Sequence, residues 1–268
     1  MRVVLVLLAV LLIAGTADAR DVAKNDQVIE GVYTPHSNQI DSENPGSALV
    51  VSIIAGTFTD LGPAYVSALT AAGEAPVDLI YDPMGNWPST AGYTSLTVDC
   101  SDLWWSGYFL TGDENQIAAF LDAGKCAWVI GQDYLYQRGS YTGFPQTYLG
   151  VAGAYEDANY NDASSMTYDG TAGGPLEGVS GSMFPCMASN PWFTDEIYPL
   201  SQGLVTWSSD LYGPAEGGSV LNAAAFSTVE YGCDDAAALT GVMQHLLALC
   251  GPVATQEKSW GSLKGLYR

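Results

Sequence analysis

Positive charge is scarce in this sequence. The 268 residues hold 8 Lys and Arg against 29 Asp and Glu, a net charge of −21. Between Lys24 and Lys258 the only Lys or Arg residues are Lys125 and Arg138. Phosphate backbones are held by clustered Lys and Arg, so nucleic acid and anionic membrane surfaces are poor partners for such a chain. Histidine is limited to His36 and His245, and no Cys-x-x-Cys or Cys/His cluster points to zinc or thiol redox chemistry. Long apolar runs are missing too: the longest, Val3 to Ala14, has 12 residues, short of the ~20 that span a bilayer. The acidity suits divalent cations, neutral sugars or basic partners, and it also serves solvation alone.

What is present begins with targeting. Met1-Arg2, the run Val3 to Ala14 and Ala17-Asp18-Ala19 have the charged start, short apolar core and small-residue cleavage site of a secretory signal peptide, 1–19. Ala19 is read as the last residue removed, giving a secreted mature chain without a membrane span. Residues 20–47 are polar and read as a leader or linker, 48–251 as one large domain and 252–268 as a basic tail. The tail carries Lys258, Lys264 and Arg268 with Trp260, Leu263 and Tyr267 at helical spacing; docking on the acidic body, an export or attachment role and simple terminal disorder are all open to it.

Within the domain, strands alternate with helices. Ala48 to Ile54 is a continuous apolar strand, followed by a helix over 61–72 with Leu61, Ala64, Tyr65, Ala68 and Leu69 at helical spacing. Val77 to Tyr81 is a second strand, and a third is expected near Asp102 to Ser106, centred on Leu103 to Trp105. Thr111 with Glu114 reads as a capping box, Ile117, Phe120 and Leu121 form one helical face, and Gly124 supplies a left-handed stop. Cys126 to Ile130 is then a buried strand leading into Gly131-Gln132-Asp133-Tyr134. The short strands and Gly-rich turns from Gly203 to Val229 read as an antiparallel extension. Asp234 and Asp235 open a last helix with Leu239, Val242, Met243, Leu246 and Leu249 on its apolar face, stopped by Gly251-Pro252. The predicted class is α/β, a doubly wound, mostly parallel sheet. An all-β exported domain is the alternative from the Tyr, Thr and Gly content, and the crossover helices at 61–72 and 113–123 argue against it.

All five cysteines, Cys100, Cys126, Cys186, Cys233 and Cys250, lie in the exported part, where disulfides form. Cys233 and Cys250 bracket the last helix and are roughly 25 Å apart at 1.5 Å rise per residue, too far to pair with each other. Cys100 and Cys126 are placed near the starts of two successive strands, so the expected bridge joins them; small buried thiols with no bond are the alternative.

The first apolar strand, the Asp-rich helix start, Phe120-Leu121-Asp122-Ala123-Gly124, the apolar strand with Gly131-Gln132-Asp133-Tyr134-Leu135-Tyr136, and Tyr148-Leu149-Gly150-Val151 together resemble the class I glutamine amidotransferase-like domains of secreted bacterial proteins. The resemblance covers roughly residues 48–251 and implies a flavodoxin-like or amidotransferase-like sheet. In catalytic members the strand-to-helix elbow carries a cysteine within Gly-x-Cys-x-Gly. Here Asp133 stands at that position and Leu135 replaces the second glycine. A carboxylate cannot serve as the thiolate of glutamine hydrolysis. Where the resemblance implies a histidine after a late strand, this chain has Glu230-Tyr231-Gly232, and His245 falls in the middle of the last helix.

A non-catalytic binding or structural module is therefore the leading expectation, and an extracellular hydrolase with a divergent carboxylate site around Asp133 is the rival. In the first, Asp133 pairs with Arg138 or caps the next segment; in the second it is a nucleophile and needs a base nearby. Gln132, Asp133 and Arg138, with Trp104, Trp105 and Tyr108 beside them, are the candidate ligand-binding residues at the sheet's carboxyl edge. Aromatic rings next to amide and carboxylate groups suit carbohydrate, although a tryptophan pair at a strand end also serves as packing. No cofactor is expected beyond a possible calcium. Asp157, Asn159, Asn161, Asp162 and Asp169 form an oxygen-rich stretch, but Asp162 stands where an EF-hand needs glycine and Tyr168 where it needs glutamate. A looser calcium site and a solvated loop are the two readings. Carbohydrate or other extracellular proteins are the expected partners.

Overall fold

The computed structural model describes residues 47–54, 60–101, 109–132, 134–137, 143–155, 158, 165–183 and 194–251. β1 (Ala48–Ser52) is buried at every residue, as expected for a strand covered on both faces. It leads to α1 (Gly62–Ala72), which has Pro63 in its first turn and stops at Gly73 in the left-handed conformation. β2 (Val77–Tyr81) and β3 (Ser95–Ser101) follow, then α2 (Thr111–Asp122), β4 (Cys126–Gly131) and the short α3 (Tyr134–Gln137). The second half consists of β5 (Val151–Tyr155), β6 (Met166–Gly170), β7 (Ser180–Ser182), β8 (Glu196–Pro199), β9 (Gln202–Gly203), β10 (Val205–Ser209), β11 (Ala215–Glu216), β12 (Gly218–Leu221), β13 (Ala224–Ser227) and α4 (Ala236–Leu249).

Seven strands form the main sheet in the order β2-β1-β3-β4-β13-β12-β9. β2, β1, β3, β4 and β13 are mutually parallel, and β12 and β9 continue the sheet antiparallel. The parallel part has the flavodoxin-like order. Val50, Trp128 and Ile130 pack with α1 and α4 on one face, while Leu49, Val51, Val98 and Val129 pack with Ile117 and Phe120 of α2 on the other. The sheet is therefore covered by helices on both sides, the doubly wound α/β class expected. A four-stranded antiparallel sheet, β11-β10-β6-β7, and the two-stranded β5-β8 pair are also formed, whereas β13, expected within the antiparallel extension, pairs parallel with β4 and belongs to the parallel set. Among the described residues no helix is long and apolar enough to cross a membrane.

Three local expectations are corrected. The third strand is Ser95–Ser101, earlier than the expected stretch; Leu103 to Trp105 lie outside the described residues. Thr97 and Asp99 are polar residues on this buried strand, which is why apolar continuity did not mark it. The cap of α2 is shifted by one residue. Leu110 is the N-cap residue, and Asp113, rather than Glu114, accepts its N–H at 2.8 Å. Asp113 also accepts the Gly85 N–H at 2.8 Å and the Trp87 Nε1–H at 2.6 Å, so the preceding loop selects it. Glu114 instead accepts the Tyr134 hydroxyl at 3.0 Å. Gly124 does supply the left-handed stop.

The third correction concerns sulfur. Cys126 is bonded to Cys250, with Cα atoms 5.2 Å apart, and Cys100 is a buried free thiol. With β3 ending at Ser101, Cys100 lies at the carboxyl end of its strand while Cys126 opens β4 at the amino end. Parallel neighbours cannot bring such residues together. α4 runs back along the sheet and delivers Cys250 to the start of β4. Its N-cap is Asp235, whose carboxylate accepts the Ala237 and Ala238 N–H groups at 2.8 and 2.9 Å. Cys233 is also disulfide-bonded, and as expected its partner is not Cys250.

Candidate functional site

The chain passes from β1 to β2 on one side and from β3 to β4 on the other, so the order reverses between β1 and β3. In open α/β sheets the crevice outside the carboxyl strand ends at such a switch point is where ligands bind. Here the strand ends bring polar side chains together. The Ser52 hydroxyl donates to Asp99 Oδ2 at 3.3 Å and lies 3.4 Å from Asp60 Oδ1. Asp60 accepts the Gly62 N–H at 3.1 Å and the Tyr81 hydroxyl at 3.3 Å. Asp82 accepts the Ile54 N–H at 2.9 Å. A Cβ added at Gly62 would come within 2.8 Å of the Ser52 Cβ, so glycine there lets α1 start directly against the end of β1.

A second group adjoins this one, around Tyr65 of α1. After β13 the chain makes a single turn of 3₁₀ helix, Tyr231–Cys233, with Glu230 as its cap. Glu230 and Tyr65 are both fully buried. The Tyr65 hydroxyl donates to Glu230 Oε1 at 2.5 Å and accepts the Gly232 N–H at 3.2 Å, and that N–H also points to Glu230 Oε1 at 3.3 Å. Burial, followed by the negative charges of Glu230 and Asp99, pushes the Tyr65 phenol well above its ordinary range. Burial together with Asp99, Glu230 and Asp113 does the same to the Cys100 thiol. Ser227 donates to the Tyr231 hydroxyl at 3.0 Å, and the Tyr231 ring meets Tyr168 edge-on at 5.2 Å.

Chemically, this edge holds its protons firmly. Tyr65 remains a phenol at neutral pH and serves as donor to a carboxylate. The Lys, Arg and His residues among those described are Lys125 and His245. Lys125, just before β4 at the sheet's amino end, donates to the Thr90 and Ala91 carbonyls at 2.8 and 2.9 Å. His245 is exposed on α4, with Nδ1 2.8 Å from the Gly241 carbonyl oxygen. Neither reaches the carboxyl edge.

Of the residues expected from sequence, Gln132 is fully buried directly after β4. Gly131 is required there, because an added Cβ would overlap the Cys100 side chain on β3. α3 is fixed by Tyr134: its hydroxyl bonds Glu114, and its ring packs on Phe109 and Phe226 at 5.1 and 5.6 Å. Asp133, Arg138, Trp104, Trp105 and Tyr108 lie outside the described residues, as do Asp157, Asn159, Asn161 and Asp162. Asp169 belongs to strand β6, paired with Thr206 and Ser180, and faces solvent. Among the described residues no group of three or more His, Cys, Asp or Glu could hold a metal ion. Sequence reasoning passed over Ser52, Asp60 and Asp99 and took Tyr65 as a core residue. The available signal was a polar residue at the carboxyl end of an otherwise apolar strand, as at Ser52; β3 offered no such contrast for Asp99.

No family model and no curated protein matches the chain. Solved structures similar in backbone include the following three. An α-L-fucosidase isoenzyme from Paenibacillus thiaminolyticus is 13% identical with a TM-score of 0.47, over 78% of this chain and 33% of that one; this chain thus spans about a third of that enzyme's length. A glutamine amidotransferase from Thermotoga maritima is 13% identical with a TM-score of 0.45, over 76% of this chain and 99% of that one. A putative ThuA-like protein from Parabacteroides merdae is 10% identical with a TM-score of 0.46, over 80% and 92% of the two chains. No residue role passes to this chain from any of them.

Proposed function

We propose that this chain is a secreted, non-catalytic amidotransferase-like module that binds a ligand or partner rather than turning over a substrate. The observation that supports this most is the state of Glu230. In the region where the family resemblance calls for a mobile, titrating histidine, the chain has a carboxylate fully buried and held by Tyr65 and Gly232. Its Oε1 is engaged by the Tyr65 hydroxyl and the Gly232 N–H, whereas a general base has to reach the proton that it abstracts. Asp133 at the elbow supports the same reading, since it cannot supply a thiolate. Carbohydrate or another extracellular protein is the ligand class proposed for the carboxyl edge, with Gln132, Asp133, Arg138, Trp104, Trp105 and Tyr108 as its contacts.

The test is Asp133→Asn in the purified mature chain. In this reading the substitution lowers stability by a few kcal/mol, as for loss of one partner of a buried ion pair, and neither glutaminase nor esterase nor glycosidase activity is present before or after it. A hydrolytic activity that Asp133→Asn abolishes without changing the melting temperature would establish the rival reading, a hydrolase with a divergent carboxylate site.

A further inference from the structure

A separate surface of the molecule gathers exposed tyrosines around one carboxylate. β5 and β8 pair antiparallel with Tyr155 opposite Glu196. Side chains alternate along a strand, so Tyr198 shares the face of Glu196 while Ile197 points to the other. Ile197 is buried accordingly, whereas Tyr155 is 45% and Tyr198 50% exposed. The turn between β10 and β11 adds a third ring. Tyr212 donates its hydroxyl to Glu196 Oε2 at 3.0 Å and lies over the buried Trp207 with ring centroids 5.5 Å apart and planes inclined by 28°. The phenol of Tyr212 is pushed up by burial and by Glu196, and the strand register puts Tyr155 and Tyr198 on the same face as Glu196. Beside them is an open recess of about 590 Å³ lined by Ser209, Asp210, Leu211, Tyr212, Gly213 and Pro214. Leu211 is 54% exposed there.

We propose that this surface docks a basic protein partner, with an Arg or Lys side chain of the partner seated on Glu196 among Tyr155, Tyr198 and Tyr212. Charge selects this occupant. Residues 151–155 and 194–216 contain no Lys, Arg or His, and the chain as a whole carries −21, so the local and the long-range fields both favour a cation. Glu196 is half-buried, and a charge pair there is screened less than one in open water. Tyrosine rings attract ammonium and guanidinium groups through their faces, and tyrosine is among the residues that dominate binding energy at interfaces. Leu211 supplies apolar contact beside them. This surface lies on a different sheet from the carboxyl edge, so the inference stands or falls separately from the function proposed above.

The experiment titrates the mature chain into a fluorescein-labelled Gly-Arg repeat peptide, and into its Gly-Lys counterpart, at about 0.15 M salt, where exposed charges beyond ~8 Å are screened. Expected is saturable binding that Glu196→Gln and Tyr198→Ala each weaken about tenfold. Glu74→Gln, which removes the same charge beyond the end of α1, should weaken it less than about twofold. Melting temperatures confirm folding, and Tyr155→Ala replaces Tyr198→Ala if that variant fails to fold. Equal weakening by Glu196→Gln and Glu74→Gln would mean diffuse attraction and overturn the proposal, as would no saturable binding. Binding of a neutral oligosaccharide to this surface with none of the peptides would assign it to glycan and overturn the proposal too.

Discussion

Tyr65 and Glu230 are 165 residues apart in sequence and joined by a hydrogen bond of 2.5 Å. This contact ties the first crossover helix to the turn that follows the last strand of the parallel set. Both residues are fully buried, so neither can replace the other with water.

Tyr65→Phe keeps the ring and removes the donor, leaving Glu230 with backbone help from Gly232. Removing the donor from a buried acceptor costs roughly 1–3 kcal/mol, and the variant is expected to lose that much in urea denaturation. A loss below about 0.5 kcal/mol would mean that Glu230 is held chiefly by other groups.

Alkaline pH should act through the same phenols. Tyr65, Tyr168 and Tyr231 all have folded pKa values raised above the ordinary one, chiefly by burial. For a group whose folded pKa is raised, the stabilisation is complete below the unfolded pKa and is lost as pH climbs through the folded one. The denaturation midpoint is therefore expected to change little, as far as these phenols go, from pH 8 up to about 10 and then to fall, because the unfolded chain releases phenolic protons there while the folded one keeps them. Tyr65→Phe should reduce the slope above pH 10. An unchanged slope in that variant would show that other groups set the alkaline limit.

Peptide mapping without reduction should recover Cys126 linked to Cys250, and Cys100 should react with alkylating agents only after denaturation. The bridge spans 124 residues, and in the chain-entropy account a loop of that size is worth roughly 4–5 kcal/mol. Cys250→Ala is expected to cost a substantial part of this, read as a drop in denaturation midpoint. Recovery of a Cys100–Cys126 peptide would contradict the fold described.

Calcium provides a fourth test. The stretch Asp157, Asn159, Asn161, Asp162 and Asp169 belongs to a strongly acidic chain, so self-repulsion alone should respond to any cation. Diffuse screening is expected. Thermal melts in calcium, magnesium and sodium chloride at matched ionic strength should then rise together, whereas a saturable, calcium-selective rise lost in Asp157→Ala would reveal a site.

Periodicity located the strands buried on both faces, since β1, β2 and β4 are short apolar runs, and it located the crossover helices from their apolar faces. β3 was misplaced because its inward positions include Ser95, Thr97 and Asp99, which break the apolar run that marked its neighbours. The disulfide failed for the same reason, as a shift along one strand moves a cysteine from one end of the sheet to the other. The α2 cap was missed by one residue because Asp113 is held by Gly85 and Trp87, contacts that local spacing does not encode. At the candidate site, the sequence drew attention to Gln132 and to the Glu230 segment through the family resemblance. Tyr65 was legible only as an apolar helix position, since its hydroxyl's role depends on a partner far along the chain.

The Cys126–Cys250 bridge has a practical consequence for anyone handling this protein. It anchors the end of α4 to the first residue of β4, and β4 is six residues long, about 20 Å at 3.3 Å per residue. An affinity handle or surface linker added after Gly251 therefore departs from the amino edge of the sheet, a strand's length away from Gln132 and Glu230. Immobilised in that orientation, the molecule presents its carboxyl edge to the solution, ready for a screen of ligands.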